Sequence, residues 1–301
     1  MKRLGYILIS LFVIASFGLA GCQPAEAELG TEQNPIIWAL VPSGEIDTVL
    51  AGFEDVAEII FEETGLVLEP FVATEYAGVI EAMTADPPRA HMASLATFAY
   101  MLASERGVAE AELVALRRGS ASYNGQIFVR TDSGITDIPG LAGGTFCGVD
   151  PLSTSGWIIP SITLAANGVN PETDLEGVVF AGSHDAAVAA VYNRECDGGS
   201  SFVDARANLI DDFPDVMEEI TVIEVSVDIP NDGVQYHPSM PRELRDQIND
   251  VLLTIHETEE GLDAIFQAYE WTQLASRDDT FYEPFRQILD AAGVDISEYM
   301  N

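Results

Sequence analysis

The chain has 301 residues, with 49 acidic against 13 basic side chains and a formal charge of −36 at pH 7. A field of that sign repels phosphate backbones and anionic lipid faces, so nucleic acid is excluded as a partner, and a long basic groove with it. An anionic small ligand then has to be held by a local, desolvated set of donors.

In chain order, the first element is "MKRLGYILISLFVIASFGLAGC". A basic start at Lys2 and Arg3, a short apolar run and small residues before Cys22 read as a secretory signal over residues 1–21. "GLAGC" has the form of a bacterial lipobox, which predicts cleavage before Cys22 and a diacylglyceryl group on its sulfur. Two acyl chains hold firmly where one is marginal. Residues 22–35 are small and acidic and have no apolar periodicity, so they read as a lipidated tether. The expected location is extracytoplasmic, as a membrane-anchored lipoprotein. Cleavage removes Lys2 and Arg3, and every basic residue left is an arginine. A lysine-free, acid-rich surface also suits high salt.

From Ile36 onward strands and helices alternate. "PIIWALVP" predicts a strand, and "EIDTVLAGFEDVAEIIFEETG" a helix that Gly65 stops. "LVLEPFVA" and "AHMASL" predict strands, followed by the helices "YAGVIEAMTA" and "ATFAYMLASERG". "AELVALRR", "GQIFVRTD", "GGTFCGVD", "LEGVVFAG", "CDGGSSFV" and "ITVIEVSVDIP" predict further strands. "STSGWIIPSITLAANG" and "SHDAAVAAVYNRE" predict helices between them, "DARANLIDDFPDV" a helical stretch, and the C-terminal part is helical. The fold class is therefore α/β, sheets with connecting helices on their faces.

In such folds ligands sit outside the carboxyl ends of the strands, so the loops there carry the chemistry. The run "CGVDPLSTSGWIIP" places Ser153, Thr154 and Ser155 where a helix begins. One hydroxyl suffices to cap a helix. Three, with the free N–H groups of the first turn, also form a cradle of donors for an anion. Tyr76 starts the helix after "VATE", and His184 starts the one after "AGS". A serine hydrolase built from Ser153 or Ser155 with His184 and Asp185 is disfavoured. No G-x-S-x-G elbow is present, and neighbouring His and Asp on a helix point in different directions.

Besides Cys22 the chain holds only Cys147 and Cys196. In an oxidising compartment a bridge between them is expected, closing a loop of about 50 residues; two buried thiols are the alternative. No His or Cys lies at metal-ligand spacing from either, so no metal is expected.

"TEYAGVIEAM", "DPLSTSGWIIP" and "GSHDAAVAAVYN", in this order and spacing, resemble the periplasmic phosphonate-binding proteins of ABC importers, a family that includes phosphite binders. The resemblance runs from about Ile36 to about Phe281 and implies a type II periplasmic binding fold: two α/β lobes, a double-crossover hinge and closure on the ligand. It implies residues 36–130 with 228–301 as one lobe and 131–227 as the other. It implies no enzyme activity and no cofactor. It further implies that Ser153, Thr154, Ser155 and His184 hold the phosphorus oxyanion, with Tyr76 and Tyr123 beside it. Asp204 and Asp232 are implied to face the ammonium of an aminoalkyl phosphonate, Asp232 in "IPND" where the family has "IPGD". The implied partners are a phosphonate or related oxyanion, an ABC permease and, through the lipid, the membrane. The alternative is a ligand-sensing subunit of a membrane receptor, which would use the same fold.

Overall fold

The computed structural model describes residues 27–300. The signal segment and Cys22 lie outside the described residues. Two sheets organise the chain, of six and five strands. The strands are β1 (Ile36–Leu40), β2 (Leu68–Val72), β3 (Met92–Ser94), β4 (Glu110–Leu116), β5 (Ser122–Arg130), β6 (Thr145–Gly148), β7 (Gly177–Phe180), β8 (Gly198–Phe202), β9 (Ile220–Pro230), β10 (Gly233–Tyr236) and β11 (Gln273–Ser276). The first sheet runs β11-β4-β10-β3-β1-β2 and the second β7-β6-β8-β5-β9. Parallel pairs lie where helices cross over, β1 with β2 and β3, and β6 with β7 and β8. The strands nearest the crossings pair antiparallel.

The chain passes between the sheets twice, from β4 to β5 and from β9 back to β10. Strand β5 therefore belongs to the second sheet, from Ser122 onward. On the return the second sheet keeps the chain as far as Pro230. Pairing is the reason: β5 is paired along one edge with β9, from residue 122 to 130, and along the other with β8, from 125 to 129. Asn231 ties the crossings together. Its Nδ2 donates to the carbonyls of Ala115 and Ser120, each at 2.9 Å, and its N–H donates to that of Ala121 at 2.8 Å.

The helices that frame the space between the sheets are α1 (Ile46–Thr64), α2 (Tyr76–Thr84), α3 (Thr97–Glu105), α4 (Ile159–Ala166) and α5 (His184–Tyr192). Helix α1 ends where the periodicity predicts, because Gly65 takes φ +74°, and its N–H returns to the Phe61 carbonyl. Its inner face buries Val49, Phe53, Val56 and Ile60. Phe53 meets Trp38, Tyr269 and Trp271 edge-on with centroids 4.7–5.7 Å apart. Rings of this size, fully buried, each stabilise the lobe by about 1.5–3 kcal/mol or more. The stretch expected to be helical after Val203 is broken instead, into a short 3-10 turn at Ala205–Leu209 and one helical turn at Val216–Glu219. Pro214 and the left-handed Asp204, at φ +75°, interrupt it.

Candidate ligand site between the two sheets

The loop after β6 turns at Asp150 and delivers the hydroxyl run. Ser153 caps the helix, its Oγ accepting from the Gly156 N–H at 3.2 Å. The first turn, Thr154–Ile158, is a π-turn, where the periodicity predicts a regular α-helix from the start. One local and one distant cause account for it. Pro160 has no N–H, so the Gly156 carbonyl has no α-helical donor four residues on. That carbonyl instead accepts from Ser200 Oγ at 2.8 Å and from the Val149 N–H at 3.1 Å. The widened turn buries Ser153, Thr154 and Ser155 at 1 % exposure or less. Gly156 is required by close approach, since a Cβ there would lie 2.4 Å from Val149 Cγ2.

Two of the hydroxyls, Ser153 and Thr154, meet the other lobe, and Ser155 meets Tyr123 of β5. Thr154 Oγ1 accepts from the Phe98 N–H at 2.9 Å, in the first turn of α3. The Tyr76 N–H, first in α2, donates to Asp150 Oδ2 at 3.1 Å, while Asp150 Oδ1 accepts from the Leu152 N–H at 2.8 Å. The His184 N–H donates to the Ser43 carbonyl, in the loop after β1, at 3.2 Å. The helix starts of one sheet are thus bonded to groups carried by the other, and the two lobes are closed on each other.

Tyr76 is buried in this contact zone and Tyr123 partly buried. Burial holds the Tyr76 hydroxyl far above its ordinary value, partly offset by a hydrogen bond with Ser153. Burial pushes Tyr123 up to about 12, against hydrogen bonds with Ser155 and Thr154. The His184 ring lies 4.8 Å from that of Phe202, with Nδ1 2.8 Å from Ser201 Oγ. Burial, followed by the nearby Arg117 charge, pushes its pKa down to about 3. His184 is therefore neutral under physiological conditions, with one N–H to donate. A histidine whose folded pKa lies below its unfolded value adds stability above about pH 6.5 and loses it as pH falls toward the folded value. Replacing His184 with Asn should flatten the loss of thermal stability between about pH 6.5 and 4 relative to the unaltered protein. An unchanged difference between the two melting curves across that range would show that the ring is not held neutral by burial.

The structure brings Tyr76 to Ser153 and Tyr123 to Ser155 and Thr154, and seats His184 on Ser201, next to the Ser200 that holds the Gly156 carbonyl. It places the two acids otherwise. Asp204 is 46 % exposed and pairs with Arg118 at 2.8 Å on the rim. Asp232 is next to the site, but Oδ1 accepts from Arg117 Nη1 at 2.5 Å and Oδ2 from Trp271 Nε1 at 2.9 Å. Each acid implied for an ammonium thus faces an arginine of this chain. Asp150 went unassigned in the sequence reading, although it stands in the same "DPLSTS" run. The hydrolase arrangement is not assembled: His184 Nδ1 meets Ser201, and Asp185 accepts from Asn208 Nδ2 at 3.2 Å. Cys147, in β6, and Cys196, before β8, are joined by a disulfide under the site.

Two α/β lobes, crossed twice by the chain and closed over converging helix starts, define a periplasmic-type solute-binding protein. The family comparison is specific: residues 38–282 match the model of the ABC transporter, phosphonate, periplasmic substrate-binding proteins, and the chain belongs to that family. It is 25% identical over 292 residues to the phosphonates-binding periplasmic protein of Escherichia coli, covering 94% of this chain and 83% of that one. It is 31% identical over 177 residues to the phosphate-import protein PhnD of Mycolicibacterium smegmatis, covering 56% of this chain. That match spans 54% of the mycobacterial protein, about half its length. Among solved structures, the binding protein component of an ABC phosphonate transporter from Pseudomonas aeruginosa superposes with a TM-score of 0.78 at 22% identity, over 86% of this chain and 87% of that one. The family is one of binding proteins that act outside the cytoplasm, not of enzymes. Among the described residues no helix is long and apolar enough to cross a membrane.

Proposed function

We propose that the protein captures a phosphorus oxyanion, a phosphonate or a close relative, between its lobes and presents it to an ABC permease. The observation that carries this reading is the gathering of Ser153, Thr154, Ser155, His184 and Tyr76, at helix starts carried by both sheets, with Tyr123 at the start of β5. A tetrahedral oxyanion needs several donors at once, and hydroxyls, helix N–H groups and a neutral imidazole provide them. In this reading the Ser201 hydroxyl donates to His184 Nδ1, which leaves Nε2–H for the ligand. Neutral donors also suit a chain whose global charge repels anions, because they select the ligand at short range only.

Closure follows from the same groups. The ligand adds donors and acceptors common to both lobes and so favours the closed arrangement over an open one. On the N-terminal side, the reading keeps residues 1–21 as a signal, Cys22 as the lipidated residue and 22–35 as a tether. Replacing Cys22 with Ala should then release the protein from the membrane fraction. Calorimetric titration with methylphosphonate, phosphite and phosphate, with sulfate as control, tests the ligand class. Binding of at least one phosphorus oxyanion well above sulfate is expected. Sulfate binding as tightly as all of them would reject the reading.

A further inference from the structure

The ion pair at the edge of the cradle carries an inference about selectivity, which rests on the oxyanion reading above. Asp232 is only 15 % exposed in its side chain, and both of its oxygens are engaged, one by Arg117 Nη1 and the other by Trp271 Nε1. Arg117 is itself held from the other side, its Nε donating to the Tyr269 carbonyl at 3.1 Å. Its guanidinium carbon lies 5.9 Å from the centre of the Tyr123 ring, and Tyr123 hydrogen-bonds into the cradle at Ser155 and Thr154. A fixed cation therefore sits one aromatic ring away from the cradle. Two further carboxylates near the cleft are also engaged. Asp204 pairs with Arg118, and Asp150 accepts the N–H groups of Leu152 and Tyr76.

We infer that Arg117 determines the ligand's substituent: its guanidinium stands where a ligand ammonium would have to stand, so the site takes phosphorus oxyanions with an uncharged substituent or none and rejects aminoalkyl phosphonates. The physical reasons act together. An ammonium brought beside Asp232 meets a carboxylate already neutralised and a guanidinium of like charge, in a site largely closed to water. A buried ammonium without a free carboxylate partner is costly. The oxyanion end, by contrast, brings no like charge to the guanidinium and is drawn to it as far as Asp232 leaves it uncompensated. Selectivity of this kind is a difference of affinities created by a repulsive element.

Calorimetry with methylphosphonate and 2-aminoethylphosphonate, on the unaltered protein and on Arg117→Met, tests the inference. The unaltered protein should bind methylphosphonate at least about tenfold more tightly, and Arg117→Met should shift that ratio by about tenfold or more toward the amine. Asp232→Asn is nearly isosteric and leaves the arginine in place, so it covers the case in which Arg117→Met does not fold. It should tighten methylphosphonate binding several-fold, because the cation behind Tyr123 is then uncompensated. Preference of the unaltered protein for the amine overturns the inference, as does an unchanged ratio in a folded Arg117→Met. Asp232→Asn that leaves methylphosphonate affinity the same or weaker overturns it too. Any of these results in a protein that still binds phosphorus oxyanions leaves the oxyanion reading standing. Failure of the unaltered protein to bind methylphosphonate, phosphite and phosphate alike overturns both.

Discussion

Removing the hydroxyls of Thr154 and Ser155 together, as Thr154→Ala with Ser155→Ala, is expected to reduce phosphorus-oxyanion affinity about a hundredfold or more. Each hydroxyl offered to an anion makes a charge-assisted hydrogen bond, stronger than a neutral one, worth about 1.5–3 kcal/mol. The geometry adds a second loss. Thr154 Oγ1 already accepts the Phe98 N–H from the other lobe, so its removal leaves that donor buried and unpaired in the closed state. Closure is therefore weakened at the same time as the cradle. The fold should survive, because Ser153 still caps the turn through Gly156 and Ser200 still holds the Gly156 carbonyl. Titration calorimetry reads the affinity, and thermal unfolding in the absence of ligand checks the fold. Affinity within a few-fold of the unaltered protein would mean that the run only caps a helix.

Loss of the disulfide is the second large effect expected. Cys147 and Cys196 are separated by 49 positions. A link of that span lowers the entropy of the unfolded chain enough to stabilise the native state by about 4 kcal/mol in the chain-entropy model. For a chain of this size that is a fall of roughly 10 °C in the unfolding midpoint for Cys147→Ala with Cys196→Ala. The bridge joins β6, which leads into Asp150 and the cradle, to the segment entering β8, which carries Ser200 and Ser201. Unfolding should therefore begin in the second lobe, and ligand should raise the midpoint of the variant by less than that of the oxidised protein. Scanning calorimetry of the oxidised, reduced and doubly substituted chains measures this. A shift below about 2 °C would show that the bridge constrains little beyond what packing already does.

Helix α1, the start of α2 and the start of α5 were legible in the chain because their causes are local. Apolar residues recur at helical spacing, Gly65 takes the left-handed stop, and Ser183 caps α5 by accepting from Ala186 at 3.2 Å. The cradle hydroxyls and His184 were legible for the same reason, since the residue types that start a helix are also those that bind an anion there. Strands β10 and β11, of four residues each, went unread within the C-terminal part. They exist because β10 is paired between β3 and β4, and β11 is paired along β4.

The π-turn likewise depends on Ser200, which lies 44 positions from the carbonyl it engages. The roles of the acids were decided furthest from home. Asp232 meets Arg117 across 115 positions and Asp204 meets Arg118 across 86. A carboxylate's charge is written in the sequence, but whether that charge is free for a ligand depends on which cation the fold brings beside it. By itself the chain determined where donors for an anion begin helices. Only the tertiary structure decided that the acids beside them are already paired, because pairing needs the β4–β5 crossing, the return after Pro230 and the turn after β8 to meet in one place.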